Sequence, residues 1–187
     1  MSLQKWKLIS KKDVSPSKWL PVEERVYRLP NGKIVDDFTV VTLADVAMIV
    51  PITKDKKVVL TKQYKPGVDG IVLQFPAGRL ENKHKNLDEL ALHEMEEEVG
   101  IKADPSQLTQ FAKFSGFSTK ASEVVFAYLA TECEFNSKQN LDPTEEIEIV
   151  VVSFDEMDAL IASGQIWCAQ TIATWELAKK KFAEYMK

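Results

Sequence analysis

The stretch His93-Glu94-Met95-Glu96-Glu97-Glu98-Val99-Gly100-Ile101 holds residue types at a spacing that could do chemistry. On a helix, residues three and four apart share a face. Glu94, Glu97 and Glu98 therefore converge, while Leu92, Met95 and Val99 turn toward a core. Three carboxylates on one face repel one another unless a cation sits among them. Hard divalent ions such as Mg²⁺ take oxygen ligands, commonly a few carboxylates plus substrate phosphates. Ions held this way stabilise charge developing on a phosphoryl oxygen and lower the pKa of a bound water. The bland reading of such a run is a solvated acidic helix face. Against it stands Phe75-Pro76-Ala77-Gly78, a turn placed before the run where it can aim a backbone carbonyl at the same metal.

The elements that must position these groups are legible in outline. A helix is predicted over Leu87–Val99, with Asn86 as N-cap, Glu89 completing a capping box, and Gly100 as the left-handed stop. Asp45–Pro51 and Lys57–Tyr64 are apolar, β-branched runs that read as neighbouring strands buried on both faces. Further strands are predicted at Leu108–Phe114, Val124–Ala130 and Ile147–Val152. Ser153-Phe154-Asp155-Glu156 opens a helix reaching about Ser163. A last helix, Ala169–Tyr185, carries Ile172, Trp175, Ala178, Phe182 and Tyr185 as a core-facing stripe. Near the N-terminus, Glu24–Leu29 and Lys33–Val35 flank Asn31-Gly32, a pair suited to a tight hairpin turn. The order predicts an α/β/α sandwich on a mixed sheet. Residues 1–42 form a small antiparallel β unit in this reading, and residues 43–187 the main domain.

Composition narrows the function classes. Of the 187 residues, 45% are apolar and 28% charged, which excludes a disordered chain. The net charge of −4 leaves no basic face for nucleic-acid phosphates, so no nucleic-acid partner is expected. No run is long and apolar enough to span a bilayer, and none resembles a signal peptide. Cys133 and Cys168 stand apart without metal-ligand spacing, and a reducing, cytoplasmic setting is the expectation. His84 lacks a partner at ligand spacing and reads as a solvent-exposed loop histidine. Trp6, Trp19, Trp167 and Trp175 read as core or dimer-interface residues.

Residues 78–101 resemble the Nudix box, G-x5-E-x7-R-E-U-x-E-E-x-G-U, with U a bulky apolar residue. Glu94, Met95, Glu97, Glu98, Gly100 and Ile101 fall on its second half. The resemblance implies a mixed-sheet α/β/α sandwich whose helix glutamates bind divalent ions, Mg²⁺ or Mn²⁺, and assist water attack on a nucleoside diphosphate derivative. It implies Glu94, Glu97 and Glu98 as metal ligands, with the Ala77 carbonyl as a further one. The chain departs from the pattern in places. Gly78 lies fifteen positions before His93, where the pattern has fourteen. His84 or Lys85 stands where the early box glutamate belongs, and His93 replaces the box arginine. In the family that arginine orients a catalytic glutamate through a fork that histidine lacks.

Similarity outside the box points to the ADP-ribose pyrophosphatase branch, which splits nucleoside diphosphate sugars into two monophosphates. Gln63-Tyr64-Lys65 resembles that group's Gln-Tyr-Arg, and Gln74 stands where its glutamate precedes Pro-Ala-Gly. Both Lys65 and Gln74 are thereby implied as substrate contacts. Phe114-Ser115-Gly116-Phe117-Ser118 resembles a loop bearing a Ser-Pro-Gly marker, which puts Gly116 at the substrate. Phe38 is placed either to stack on a base or to pack a core. Asp142-Pro143-Thr144-Glu145-Glu146-Ile147 resembles an acidic loop that reads Glu-x-Glu-x-Ile in relatives. There the first glutamate is the general base and the second reaches a metal. Glu145 matches the second, and Pro143 stands at the first, so Glu146 or a box glutamate would have to substitute as base; the resemblance implies Glu97, Glu98 and Glu145 as the catalytic carboxylates. In that group the N-terminal β unit exchanges between subunits, so a homodimer is implied. The reading is thus a metal-dependent hydrolase of a nucleotide-sugar substrate, ADP-ribose foremost. The alternatives are a weak or inactive Nudix-like nucleotide-binding module, and hydrolysis of another nucleotide derivative.

Overall fold

The two apolar runs after residue 45 become the central strands, and their side chains alternate between two cores. The computed structural model describes residues 2–185. It contains β1 (Lys7–Asp13), β2 (Val22–Arg28), β3 (Ile34–Val41), β4 (Val46–Thr53), β5 (Val58–Lys65), β6 (Gly70–Gln74), β7 (Ala77–Arg79) and α1 (Leu87–Val99). After these come β8 (Leu108–Phe114), β9 (Val125–Cys133), β10 (Ile147–Val152), α2 (Phe154–Ala162) and α3 (Ala169–Lys181). The chain divides into two compact units, Met1–Asp45 with Ser115–Val124, and Val46–Phe114 with Val125–Lys187.

In the larger unit the strand path is β10-β5-β4-β9-β8, with β6 added beside β5 and β7 beside β4. β4 and β9 run parallel and the other pairs antiparallel, so the sheet is mixed. Ala47, Ile49, Val59, Tyr128 and Ala130 point to one face and pack with Leu90, Ala91, Met95 and Val99 of α1. Met48, Val50, Ile52, Val58, Leu60 and Leu129 point to the other, against Met157 of α2 and Trp175 and Ala178 of α3. This is the expected α/β/α sandwich. The fully buried Trp175 donates its indole N–H to Asp158 at 2.6 Å, tying α3 to α2.

The smaller unit is a three-stranded antiparallel sheet, β1-β2-β3. Gly32 adopts φ +84° in the β2–β3 turn, a conformation an L side chain resists. The segment 115–124 is fastened to β3: Val41 N–H donates to Lys120 O at 2.7 Å, and Ser122 N–H to Val41 O at 3.0 Å. Trp6, Tyr27 and Phe38 form a mutually edge-on aromatic cluster, with ring centroids 5.8 to 6.1 Å apart.

Several expectations need adjustment. The sequence reading omitted β1, β6 and β7. β1 is solvent-exposed throughout and exists through its pairing with β2, which apolar alternation does not signal. Asn86 does cap α1, accepting the Glu89 N–H at 2.9 Å, but Glu89 instead accepts from Lys85 N–H at 2.7 Å, so the capping box is not closed. The last helix ends at Lys181, short of Tyr185. Phe182 and Tyr185 still pack on the core from the turn that follows, because apolar burial does not require helical backbone. Of the four tryptophans only Trp175 is buried; Trp6, Trp19 and Trp167 are exposed. No helix among the described residues is long and apolar enough to cross a membrane.

Candidate active site

The site is built on the inward edge of α1. Leu90, Ala91, Met95, Glu98 and Val99 are its buried residues, so the helix face that faces the sheet carries one carboxylate. Glu98 is only 3% exposed. It accepts the Ala77 N–H at 3.0 Å, which joins the Pro-Ala-Gly turn to the helix. That turn is fixed from the other side, where Pro76 O accepts the Ile49 N–H of β4 at 3.0 Å. Glu94 sits one turn earlier, its carboxylate occupying the space where a Cβ on residue 78 would stand. Glycine is needed there for close approach. The contact seen for Ala77 runs through its N–H.

A second acidic group approaches from the segment before β10. The last carbonyls of a helix lack intrahelical partners, and here residues 137–140 supply them. Ser137 N–H donates to Gly100 O and Asn140 N–H to Glu97 O, both at 3.0 Å, and the Gln139 amide donates to Glu98 O at 2.7 Å. Anchored in this way, the chain delivers Asp142 and Glu145 to Glu97. One carboxylate oxygen from each of these three lies within 4.8 Å of the others. Glu145 N–H donates to Asp142 O at 2.9 Å, closing the turn over the exposed Pro143. Glu146 is exposed and lines a recess of about 670 Å³ with Gln63, Tyr64, Ile71 and Glu145. The buried side-chain oxygen of Gln63 in that recess has no hydrogen-bond partner.

The electrostatics record the crowding. Burial, then the charges of Glu97 and Glu145, pushes the Glu94 carboxyl up to about 7. Burial and Glu94 push Glu98 up to about 8, opposed by the Ala77 N–H and by Lys65 at the end of β5. Glu94 thus feels Glu97 and Glu145, Glu98 feels Glu94 and Glu145, and Lys65 is close enough to Glu98 to be felt. Glu97 keeps a contact with His93 Nδ1 at 3.1 Å, one turn of helix away. That is a single contact where an arginine would supply two.

Two groups escaped the sequence reading. Asp142 was noted only as part of an acidic loop, and its place beside Glu97 depends on the anchoring of residues 137–140. His84 was expected in solvent. Instead its ring lies 5.2 Å from that of His93, and both its ring nitrogens are shielded from water without a hydrogen-bond partner among the described residues. Burial and the neighbouring His93 lower its pKa. Its loop neighbours Glu81–Lys83, Lys85 and Asn86 are exposed, so the ring alone turns toward His93, a feature that spacing does not reveal. Gln74 ends β6, its carbonyl accepting the Thr61 hydroxyl at 3.3 Å. Phe38 and Gly116 belong to the smaller unit. The Phe38 ring is half-buried among Trp6 and Tyr27 with the Lys120 ammonium 4.0 Å above it, and Gly116 lies in the exposed 115–124 segment.

Residues 42–173 match the model of the NUDIX domain. The chain belongs to the Nudix family. It is a Nudix pyrophosphohydrolase with ADP-ribose pyrophosphatase relatives. One, the ADP-ribose pyrophosphatase of Bacillus subtilis (strain 168), is 29% identical over 167 residues, covering 88% of each chain. The methanol dehydrogenase activator of Bacillus methanolicus is 29% identical over 148 residues, covering 77% of this chain and 76% of that one. Among solved structures, an ADP compounds hydrolase superposes with a TM-score of 0.85 at 24% identity, covering 99% of this Nudix chain and 98% of its own. That likeness bears on the fold.

The donor set of the site fits a hard divalent ion. It consists of carboxylate oxygens, two of them with raised pKa because their charges lie buried near one another without sufficient compensation.

Proposed function

We propose that this Nudix enzyme hydrolyses the pyrophosphate linkage of a nucleoside diphosphate sugar, ADP-ribose foremost, giving two monophosphates in the presence of Mg²⁺ or Mn²⁺. The observation that carries the reading is the convergence of Glu94, Glu97 and Glu98 with Glu145 against the Ala77-Gly78 turn. Glu94, Glu97, Glu98 and Glu145, with the Ala77 carbonyl, are the ligands we assign to the ions. Bound there, the ions would supply positive charge to the phosphoryl oxygens. Water attacks one phosphorus, the bridging P–O bond breaks, and the water proton passes to a carboxylate. Glu97, Glu98 and Glu145 are the acceptors in reach of such a site. Lys65, Gln74, Gly116 and Phe38 are the residues we assign to the substrate from the family resemblance, Lys65 as a point charge to a phosphate.

The likeness to the Bacillus subtilis ADP-ribose pyrophosphatase supports the choice of substrate class. A homodimer formed through the N-terminal β unit and a cytoplasmic setting belong to the same proposal. The test is release of monophosphate from a panel of nucleoside diphosphate derivatives with Mg²⁺ or Mn²⁺, for wild type and for Glu97→Gln and Glu98→Gln. Turnover of a nucleotide sugar that collapses in both variants is the expected result. Turnover unchanged in both would overturn the metal assignment. Binding without cleavage by wild type would favour the nucleotide-binding module, a reading to which Pro143 and the single His93–Glu97 contact lend support.

A further inference from the structure

Both histidines of the chain depart from the Nudix pattern, and the fold brings them together. His84 comes from the loop between β7 and α1, and His93 from the second half of α1. Their rings are 5.2 Å apart and inclined by 60°. One ligand atom from each of His84, His93 and Glu94 lies within 4.8 Å of the other two. The second observation concerns His84 itself. Its backbone N–H is satisfied by Glu81 O at 3.0 Å, so the loop turn is closed without the ring. Yet neither ring nitrogen is open to solvent or has a hydrogen-bond partner among the described residues. Leaving both nitrogens of a partly buried imidazole shielded and unpaired is costly, and native proteins rarely do so without a purpose. His93 shows the complementary arrangement. Its Nδ1 faces the Glu97 carboxylate at 3.1 Å, which leaves Nε2 for an ion. A carboxylate on the far nitrogen fixes the tautomer and orientation of a ligating histidine.

We propose that His84, His93 and Glu94 bind one divalent transition ion of the Zn²⁺ or Co²⁺ class. Two imidazoles and one carboxylate suit a borderline ion, whereas the neighbouring all-carboxylate set suits a hard one. Metal–nitrogen bonds of about 2.0–2.1 Å draw ligand atoms to roughly 3–4 Å from one another. The present spread of up to 4.8 Å would contract to that range on binding. With three protein ligands the ion keeps a position open for water or a substrate oxygen. Glu94 is common to both donor sets, so the ion lies beside the proposed hydrolytic site. Its binding nevertheless does not depend on the hydrolase reading.

The test is a Co²⁺ titration of the full chain in excess Mg²⁺, followed by ligand-field absorption and by ¹H NMR of the imidazole protons. With only two histidines in the chain, any hyperfine-shifted imidazole signal belongs to His84 or His93. Expected are one equivalent of tightly held Co²⁺, shifted signals from both rings, and at least ~10-fold weaker binding in His84→Ala and in His93→Ala. The NMR signature requires no variant, so it stands even if a substitution disturbs folding. Unshifted imidazole signals, or equal Co²⁺ affinity in the folded double variant, would overturn the proposal. Shifted signals in a protein that hydrolyses nothing would retain this site while removing the hydrolase reading. Mg²⁺-dependent hydrolysis with unshifted signals would do the reverse.

Discussion

Replacing Glu98 by glutamine probes the charge at the heart of the glutamate helix while preserving its shape. The amide retains an oxygen to accept the Ala77 N–H, which reaches Glu98 at 3.0 Å, and removes the ionisable proton. Burial first, then Glu94, lifts the Glu98 carboxyl from 4.5 to about 8. The native state therefore holds this proton more tightly than the unfolded chain does. For such a group stability falls as pH rises, between the unfolded value of 4.5 and the native value of about 8. Glu94, raised to about 7, contributes with the same sign. At about 1.36 kcal/mol per pKa unit, Glu98 costs the metal-free wild type on the order of 4 kcal/mol at about pH 8. Glutamine removes that cost. Thermal unfolding in chelator should give similar midpoints for wild type and Glu98→Gln near pH 5. Near pH 8 the variant should melt on the order of 10 °C higher. Saturating Mg²⁺ should narrow or reverse the gap, because an ion that binds only the folded wild type stabilises it by mass action. A wild type as stable as the variant near pH 8 in chelator would refute the buried-charge reasoning.

Three other substitutions address different parts of the site. Gly78→Ala places a Cβ where the Glu94 carboxylate now lies. A flexible side chain can swing away, so stability should change by less than about 1 kcal/mol, while Mg²⁺ affinity by calorimetry drops at least ~10-fold; unchanged affinity would count against Glu94 as a ligand. Gly100→Ala combines a left-handed φ of +67° with a Cβ 2.9 Å from Ser137 O. It should cost about 1–3 kcal/mol in urea unfolding, and a neutral result would contradict the close packing of residues 137–140 against α1. His93→Arg restores a fork to Glu97, in place of one contact at 3.1 Å. It should raise kcat for the preferred nucleotide sugar with little change in KM, and a lower kcat would show that His93 itself is required.

Legibility in the sequence followed the range of the interactions involved. α1 was read to the residue because its signals are local: Asn86 caps it, and Gly100 takes φ +67° at its end. β8 and β10 also match their observed bounds: Ile147, Ile149 and Val150–Val152 make β10 a β-branched run, and β8 spaces Leu108, Phe111 and Phe114 among mostly polar residues after the Pro105-Ser106 turn. β6 and β7 were missed because each depends on a neighbour strand to exist, through pairing with β5 and β4. Helical spacing alone brought Glu94, Glu97 and Glu98 to one side. That Glu98 is the buried one depends on which face of α1 meets the sheet, a tertiary fact. Asp142 needed the capping of the α1 carbonyls by residues 137–140, and His84 needed the packing of its ring against His93 from a loop one residue longer than the family pattern. Both are long-range outcomes to which period and propensity are blind.

The central claim is that the convergent glutamates hold divalent ions for cleavage of a nucleotide sugar. Its most direct test is the release of AMP and ribose 5-phosphate from ADP-ribose by the metal-stripped enzyme as Mg²⁺ or Mn²⁺ is restored, run in parallel with Glu97→Gln and Glu98→Gln. The account predicts no release without the ion, saturable release with it, and a loss of at least ~100-fold in kcat in each variant. Release that persists in chelator, or that survives both substitutions at the wild-type rate, would contradict it.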